Sequence, residues 1–455
     1  MTVPRYFANP DLDSLSPEGI REYQEQRLRS QLAYCHENSD FYRKKFQECG
    51  ADPRDIKTMD DLHALPIFMN KEQERLNSLE SLERFGHPFG THLCADPRDI
   101  YMTGTTSGTT GVPTFTYSLT RDDIANFAPA LGHRFVMNGL EYGDRVLFIF
   151  ALGIYATTIS LFGLRSVGGV PIDVDARAGS EMMLRFAAQT RPKFMATTVS
   201  LSEYLIGKAK SIIGMEVGDL HFKGVFVTGE VGVSIPEVRQ RLERAYGCPV
   251  YDYWAPAAHA IAITCGSPEY PGMHAVAPDL CTAFHDLVDP DTKQPIRIEN
   301  GAVGEMVVTS LKRQAAPLVK YATGDIVELY TEPCPHCGFP GHRAKLIGRA
   351  DDMLVVKGVN LYPAAIKQIV ETFTPEVTGE MRVVLDTKPP RVVPPLKLKL
   401  ERSASVSDDD LDALAERIVR ATHDQLKIRP VIIWTEPGSL EKSTRKTPLF
   451  EKNYE

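Results

Sequence analysis

The chain has 455 residues, 43% apolar and 24% charged, with 51 Lys+Arg against 59 Asp+Glu and a net charge of −8. This composition fits a globular protein of roughly two to four domains and excludes a disordered or fibrous chain. The acidic balance argues against a nucleic-acid binder, and eight cysteines, scattered apart from one Cys-x-x-Cys, read as reduced thiols or a metal site. In chain order, Met1–Pro10 lacks a basic n-region and an apolar run, so a cytoplasmic protein is expected. A helix then opens at Ser16, a good N-cap, with Pro17 at its first position. Leu28, Leu32 and Cys35 recur on one face of it. Val146–Leu164 is uncharged over 19 residues, close to a membrane-span length. Its interruption by Gly153, Thr157, Thr158, Ser160 and Gly163 reads instead as a buried strand, a turn and a buried helix, so no span is expected.

Strands are predicted over 146–150, 193–198 and 224–228, and helices over 180–189, 201–210 and 235–246. Strand and helix in alternation imply a mostly parallel sheet covered by helices. From Gly304 the pattern turns to short strands at 304–310, 326–330, 344–347 and 353–357. After Pro363 an αβ pattern resumes, with helices over 366–373 and 408–426 and strands over 381–385 and 396–400. The predicted fold class is α/β: a large N-terminal domain of mixed sheets and helices (residues 1–350) and a small, mobile α+β domain (residues 351–455).

The most specific segment is Thr106-Ser107-Gly108-Thr109-Thr110-Gly111-Val-Pro-Thr114. Its glycines permit tight turns, and its hydroxyls and backbone N–H groups suit phosphate oxygens. It lacks the Gly-Lys-Ser/Thr ending of a Walker A loop. At this segment the chain resembles the adenylate-forming enzymes, specifically the phenylacetate–CoA ligase family. The resemblance extends through Gln24–Leu28, Asn38–Arg43, Leu62–Pro66, Tyr321-Ala-Thr-Gly-Asp325 and Gly348–Asn360. It implies that ATP activates an aromatic or arylalkyl carboxylic acid as an acyl-adenylate, and that the thiol of CoA then takes the acyl group.

By position, the resemblance implies that residues 106–111 cover the ATP phosphates and that Gly229 and Glu230 lie beside the adenine. Trp254 would pack against the base and Asp325 would bind the ribose hydroxyls. Arg349 and Asp351 would form the hinge on which the C-terminal domain turns between half-reactions. Lys446, with Lys442 and Arg445 as neighbours, would be the catalytic lysine that stabilises charge at the α-phosphorus. Tyr155, Ala257, Ala258 and His259 would line the acid pocket. The sequence departs from the family at Val112, where a lysine is usual, and at Ala258, where a glutamate helps hold Mg²⁺. These departures leave two alternatives: an adenylate-forming enzyme with a non-CoA acceptor, or a non-catalytic nucleotide-binding homologue. The oligomeric state is open, a homodimer included.

Cys334-Pro-His-Cys337 has zinc-knuckle spacing, since two thiolates so separated can occupy adjacent corners of a tetrahedron. The resemblance points to Cys265 and His274 as the remaining ligands of a structural Zn²⁺, with Cys281, His285, His336 and His342 as alternatives.

Overall fold

The computed structural model describes residues 15–106, 114–152, 157–230, 232–255, 261–356, 359–387, 389–440 and 449–454. Helix α1 (Pro17–Asn38) starts as the sequence requires: the Ser16 Oγ accepts from the Gly19 N–H at 3.2 Å. Leu28, Leu32 and Cys35 are fully buried. A hairpin follows, β1 (Met102–Thr106) and β2 (Thr114–Leu119), with the Thr/Gly-rich segment between its strands. Helix α2 (Arg121–Met137) is opened by a capping box of Thr120 and Asp123. The sequence reading missed α2 because Pro129 and Gly132 lie inside it. Gly132 is there for packing, since a Cβ would sit 2.1 Å from the Gly163 carbonyl oxygen on the neighbouring helix.

One large sheet organises the N-terminal part. Strands β3 (Arg145–Phe150), β4 (Val170–Asp175), β5 (Phe194–Thr197), β6 (Gly224–Val227) and β7 (Val250–Trp254) lie in the order β4-β3-β5-β6-β7, all parallel. Helices α3 (Thr158–Ser166), α4 (Val199–Ile213) and α5 (Pro236–Tyr246) flank it. Phe148 and Phe150 pack with α2 and α3, while Leu147 and Ile149 pack with the opposite layer. Both faces of β3 are therefore buried, as a continuous apolar run demands. The strand and helix of the 146–164 stretch are both present, and no helix among the described residues is long and apolar enough to cross a membrane.

Past β7 the sheet turns antiparallel through β8 (Ala262–Ile263), β9 (Met273–Ala275), β10 (Val303–Val308), β11 (Tyr321–Tyr330) and β12 (Arg343–Arg349), in the order β7-β8-β9-β12-β11-β10. The small C-terminal domain has its own core. It comprises β13 (Leu354–Val356), β14 (Val359–Leu361), α6 (Pro363–Glu371), β15 (Val377–Leu385), β16 (Lys397–Arg402), α7 (Leu411–Leu426), β17 (Val431–Thr435) and β18 (Phe450–Lys452).

An ionic clasp joins the two domains. Arg241 on α5 reaches Glu371 on α6 at 3.1 Å and also pairs with Glu203. Lys367 holds the other Glu371 oxygen at 3.1 Å. Glu371 is buried, and its carboxyl stays below the ordinary range because Lys367 and Arg241 outweigh the opposing effect of burial. Arg241→Gln would leave that buried carboxylate under-compensated, at a cost of about 2 kcal/mol. The measurement is the thermal midpoint, with Arg417→Gln as control. Arg417 pairs with Glu376 at the surface, where removal is expected to leave the midpoint unchanged.

Candidate active site

The parallel strands β3, β5, β6 and β7 all deliver their carboxyl ends to one edge of the sheet, which is where open α/β sheets bind ligands. Gly229, just past β6, has φ +93°, a left-handed conformation that favours glycine. The next residue, Glu230, is held at the start of α4: its carboxylate accepts from the Ser200 N–H at 2.6 Å and from the Ser200 hydroxyl at 2.7 Å.

Asp325 is the centre of the edge. It lies on β11 directly opposite Arg349 on β12, and the Arg349 Nη1 donates to its Oδ1 at 2.7 Å. Trp254, the last residue of β7, donates its indole N–H to Oδ2 at 3.1 Å. That indole stacks on Phe284, with centroids 5.7 Å apart and planes inclined by 7°. The turn is fitted to this grip. The Asp325 N–H donates to the Thr323 hydroxyl at 3.1 Å, and the Gly324 N–H donates to Glu305 at 3.0 Å. Gly324 has φ +78°, and a Cβ there would lie 2.6 Å from the Arg349 Nη2. Arg349 also donates through Nε to Asp351 at 2.8 Å. Burial alone would lower the pKa of the guanidinium; Asp325 and then Asp351 raise it well above its usual value.

A second constellation forms where β8 and β9 meet the loop between β11 and β12. The donor atoms of Cys265, His274, Cys334 and Cys337 all lie within 4.8 Å of one another. The His274 Nδ1 faces the Ile263 carbonyl oxygen at 3.0 Å, and its Nε2 faces the Cys337 Sγ at 3.3 Å. That carbonyl accepts from an Nδ1–H and so fixes the tautomer that leaves Nε2 as a ligand. The Cys265 hydrogen bond and then His274 hold the pKa of the Cys337 thiol well below its ordinary value, against the opposing effect of burial. The donor set and its spread therefore fit a tetrahedral metal.

The sequence compares closely with known proteins along its length. The AMP-binding enzyme C-terminal domain family matches residues 358–451. Phenylacetate–coenzyme A ligase of Thermus thermophilus is 27% identical over 454 residues, 95% of this chain and 96% of that protein. The enzyme of the same name from Pseudomonas putida is 27% identical over 367 residues, 78% of this chain and 76% of that protein. The chain belongs to the adenylate-forming enzyme superfamily. Its architecture agrees with that of another adenylate-forming protein, 2-hydroxyisobutyryl-CoA ligase in the postadenylation state with R3-HIB-AMP. The TM-score is 0.86 at 23% identity, over 98% of this chain and 92% of that one.

Several residues assigned from the adenylate-forming pattern converge. Trp254, Asp325, Arg349 and Asp351 form one hydrogen-bonded chain, and Gly229 and Glu230 follow β6 on the same edge of the sheet. All four proposed metal ligands converge on one another. The alternatives do not join them: His285 and His342 face each other at 4.4 Å, His336 is exposed, and Cys281 is buried elsewhere. Thr106 closes β1, whereas Ser107–Gly111, Tyr155, Ala257, Ala258, His259 and Lys446 lie outside the described residues. A cavity of about 90 Å³ is lined by Gln24, Ile261, His285 and His342, among others, and by none of the residues assigned to nucleotide or metal. Sequence reasoning gave Arg349 to the hinge alone and missed its pairing with Asp325. The two motifs bracketing β11 and β12 were the available signal, because cross-strand partners need only the register to be known.

Proposed function

We propose that the chain is an AMP-forming acid–CoA ligase acting on an aromatic or arylalkyl carboxylic acid. The observation that carries this reading is the buried Asp325 carboxylate, fixed by Trp254 and Arg349 at the carboxyl end of the parallel strands. An ionised carboxylate has about four acceptor sites, enough for these two donors and a pair of ribose hydroxyls. Attack of the acid's carboxylate oxygen on the α-phosphorus of ATP releases pyrophosphate and leaves the acyl carbon on a good leaving group. The CoA sulfur then attacks that carbon and AMP departs. Lys446 is our candidate for balancing charge in the first step. Arg349 links the nucleotide carboxylate to Asp351, so the proposed hinge is wired to the nucleotide site.

Ala258 has no donor where the glutamate of the family stands, so we assign no protein carboxylate to Mg²⁺ there. That ion can be held largely by phosphates and water. Cys265, His274, Cys334 and Cys337 would hold a Zn²⁺ whose part is structural, since four protein donors fill a tetrahedral site.

The test is acid-dependent ATP–pyrophosphate exchange across a panel of aromatic acids without CoA, followed by CoA-dependent thioester formation. Exchange with thioester formation is expected. Exchange without thioester would redirect the reading to another acceptor, and no exchange despite ATP binding would favour a non-catalytic homologue.

A further inference from the structure

One helix of the N-terminal part is turned inside out. The helix Lys71–Phe85 is capped by Asn70, whose Oδ1 accepts from the Gln73 N–H at 2.9 Å, and it ends at Gly86 with φ +74°. The residues it buries are polar: Glu74, Asn77, Ser78 and Ser81. Its large apolar residues face outward, with Leu76 44%, Leu79 46%, Leu82 52% and Phe85 55% exposed. A surface helix of a lone globular chain does the reverse and turns its apolar stripe to the core.

Hydrogen bonds account for the buried side. The Tyr321 hydroxyl, on β11, donates to the Glu74 Oε2 at 3.1 Å, and the Asn77 Oδ1 accepts from Gln73 at 3.0 Å. The Ser81 hydroxyl donates to the His87 carbonyl oxygen at 2.8 Å. The helix is thus fixed to the sheet through its polar side, and the leucines are left turned to solvent. At about 100° per residue, Leu76, Leu79 and Leu82 span an arc of about 120°. That is the width of a stripe that packs against another element, and a contiguous apolar surface of this kind marks an interface.

The charges beside the stripe say what covers it. Arg75 and Glu83 lie on the same face, about 40° to either side of Leu79. Neither has an ion-pair or hydrogen-bond partner among the described residues. In one helix they are about 12 Å apart along the axis, too far to pair with each other. Both are four residues from Leu79, in opposite directions, just as Leu76 and Leu82 are three. An antiparallel second copy, related by a two-fold axis through Leu79, therefore sets Leu76 against Leu82 of the partner subunit and Arg75 against Glu83 of the partner subunit, with the reciprocal contacts on the other side. Self-complementarity of this sort is what a two-fold interface requires. We infer that the chain forms a symmetric homodimer through the helix Lys71–Phe85, with the axis at Leu79. The contact does not depend on the reaction proposed above.

The test is sedimentation equilibrium of the full chain over about 1–200 μM. Wild type is expected to show a monomer–dimer equilibrium with Kd on the order of 10 μM, because a single helix face makes a small interface. Leu79→Glu sets two carboxylates against each other on the axis and should raise Kd by about 100-fold. The register is tested by the charges. Arg75→Glu puts acid opposite acid at both symmetry-related contacts, and Glu83→Arg puts base opposite base, so each variant alone should dimerise about tenfold more weakly. Mixed in equal amounts, the two should associate with each other within about threefold of the wild-type Kd, since every charged contact of the mixed pair again joins opposite signs. Should either single variant misfold, R75E/E83R restores opposite charges within one chain and is expected to dimerise as wild type does. A wild type that stays monomeric throughout, or a dimer unmoved by L79E, overturns the inference. So does a mixture, or a double variant, that associates no better than the single variants alone.

Discussion

Asp325→Asn is expected to lower kcat/KM for ATP in the exchange reaction by about 100-fold, or about 2.7 kcal/mol at 1.36 kcal/mol per tenfold. The substitution keeps the shape and one carbonyl oxygen but removes the charge and half of the acceptor capacity. Three donors would be affected under the proposed role: the Trp254 indole, the Arg349 guanidinium and a ribose hydroxyl. The fold should survive, because Arg349 retains Asp351 at 2.8 Å and the Thr323 and Glu305 bonds that shape the turn involve backbone N–H groups. The loss should fall mainly on KM for ATP, since the ribose is bound alike before and during phosphoryl attack. A variant within threefold of wild type, with an unchanged thermal midpoint, would remove Asp325 from the nucleotide site.

This pairing also shows what the chain made legible. Strands β3, β5 and β6 were readable because each is a short apolar run buried on both faces, and α1 because its cap and stripe are local. The metal ligands were readable because Cys334 and Cys337 are close in sequence and the resemblance supplied the distant pair. The Asp325–Arg349 contact was not, because it depends on the register of β11 against β12. A bulge between Ile326 and Val327 interrupts that register, and a one-residue slip would point one of the two side chains away. Nor was the change from parallel to antiparallel pairing at β7, a property of how chain segments meet rather than of any one segment. Helix α2 was hidden for a third reason. Its internal Pro129 and Gly132 weaken the local helical signal, and close contact of α2 with α3 overrides that weakness.

Removing Cys337 should have the largest effect on stability. Its Sγ is within hydrogen-bonding range of the His274 Nε2 at 3.3 Å, and the four donors come from three separate chain segments. Two follow or belong to the β8–β9 hairpin and two come from the loop leaving β11. A metal at their centre would tie that loop to the sheet beside β12, the strand that carries Arg349. Structural zinc binds small peptides with about 10–16 kcal/mol, but the surrounding sheet here retains its own core. For Cys337→Ser we therefore expect a loss of about 3–5 kcal/mol. At roughly 2–4 °C per kcal/mol this lowers the thermal midpoint by about 6–20 °C. Elemental analysis should find one zinc per wild-type chain and less than a tenth of that in the variant. A strong chelator should bring the wild-type midpoint down to that of C337S and leave C337S itself unmoved. Cys281→Ser is the matched control, a buried thiol outside the cluster, and should keep both its zinc and its response to chelator. Wild-type protein free of zinc, with a midpoint indifferent to both metal and chelator, would reduce the cluster to four packed side chains.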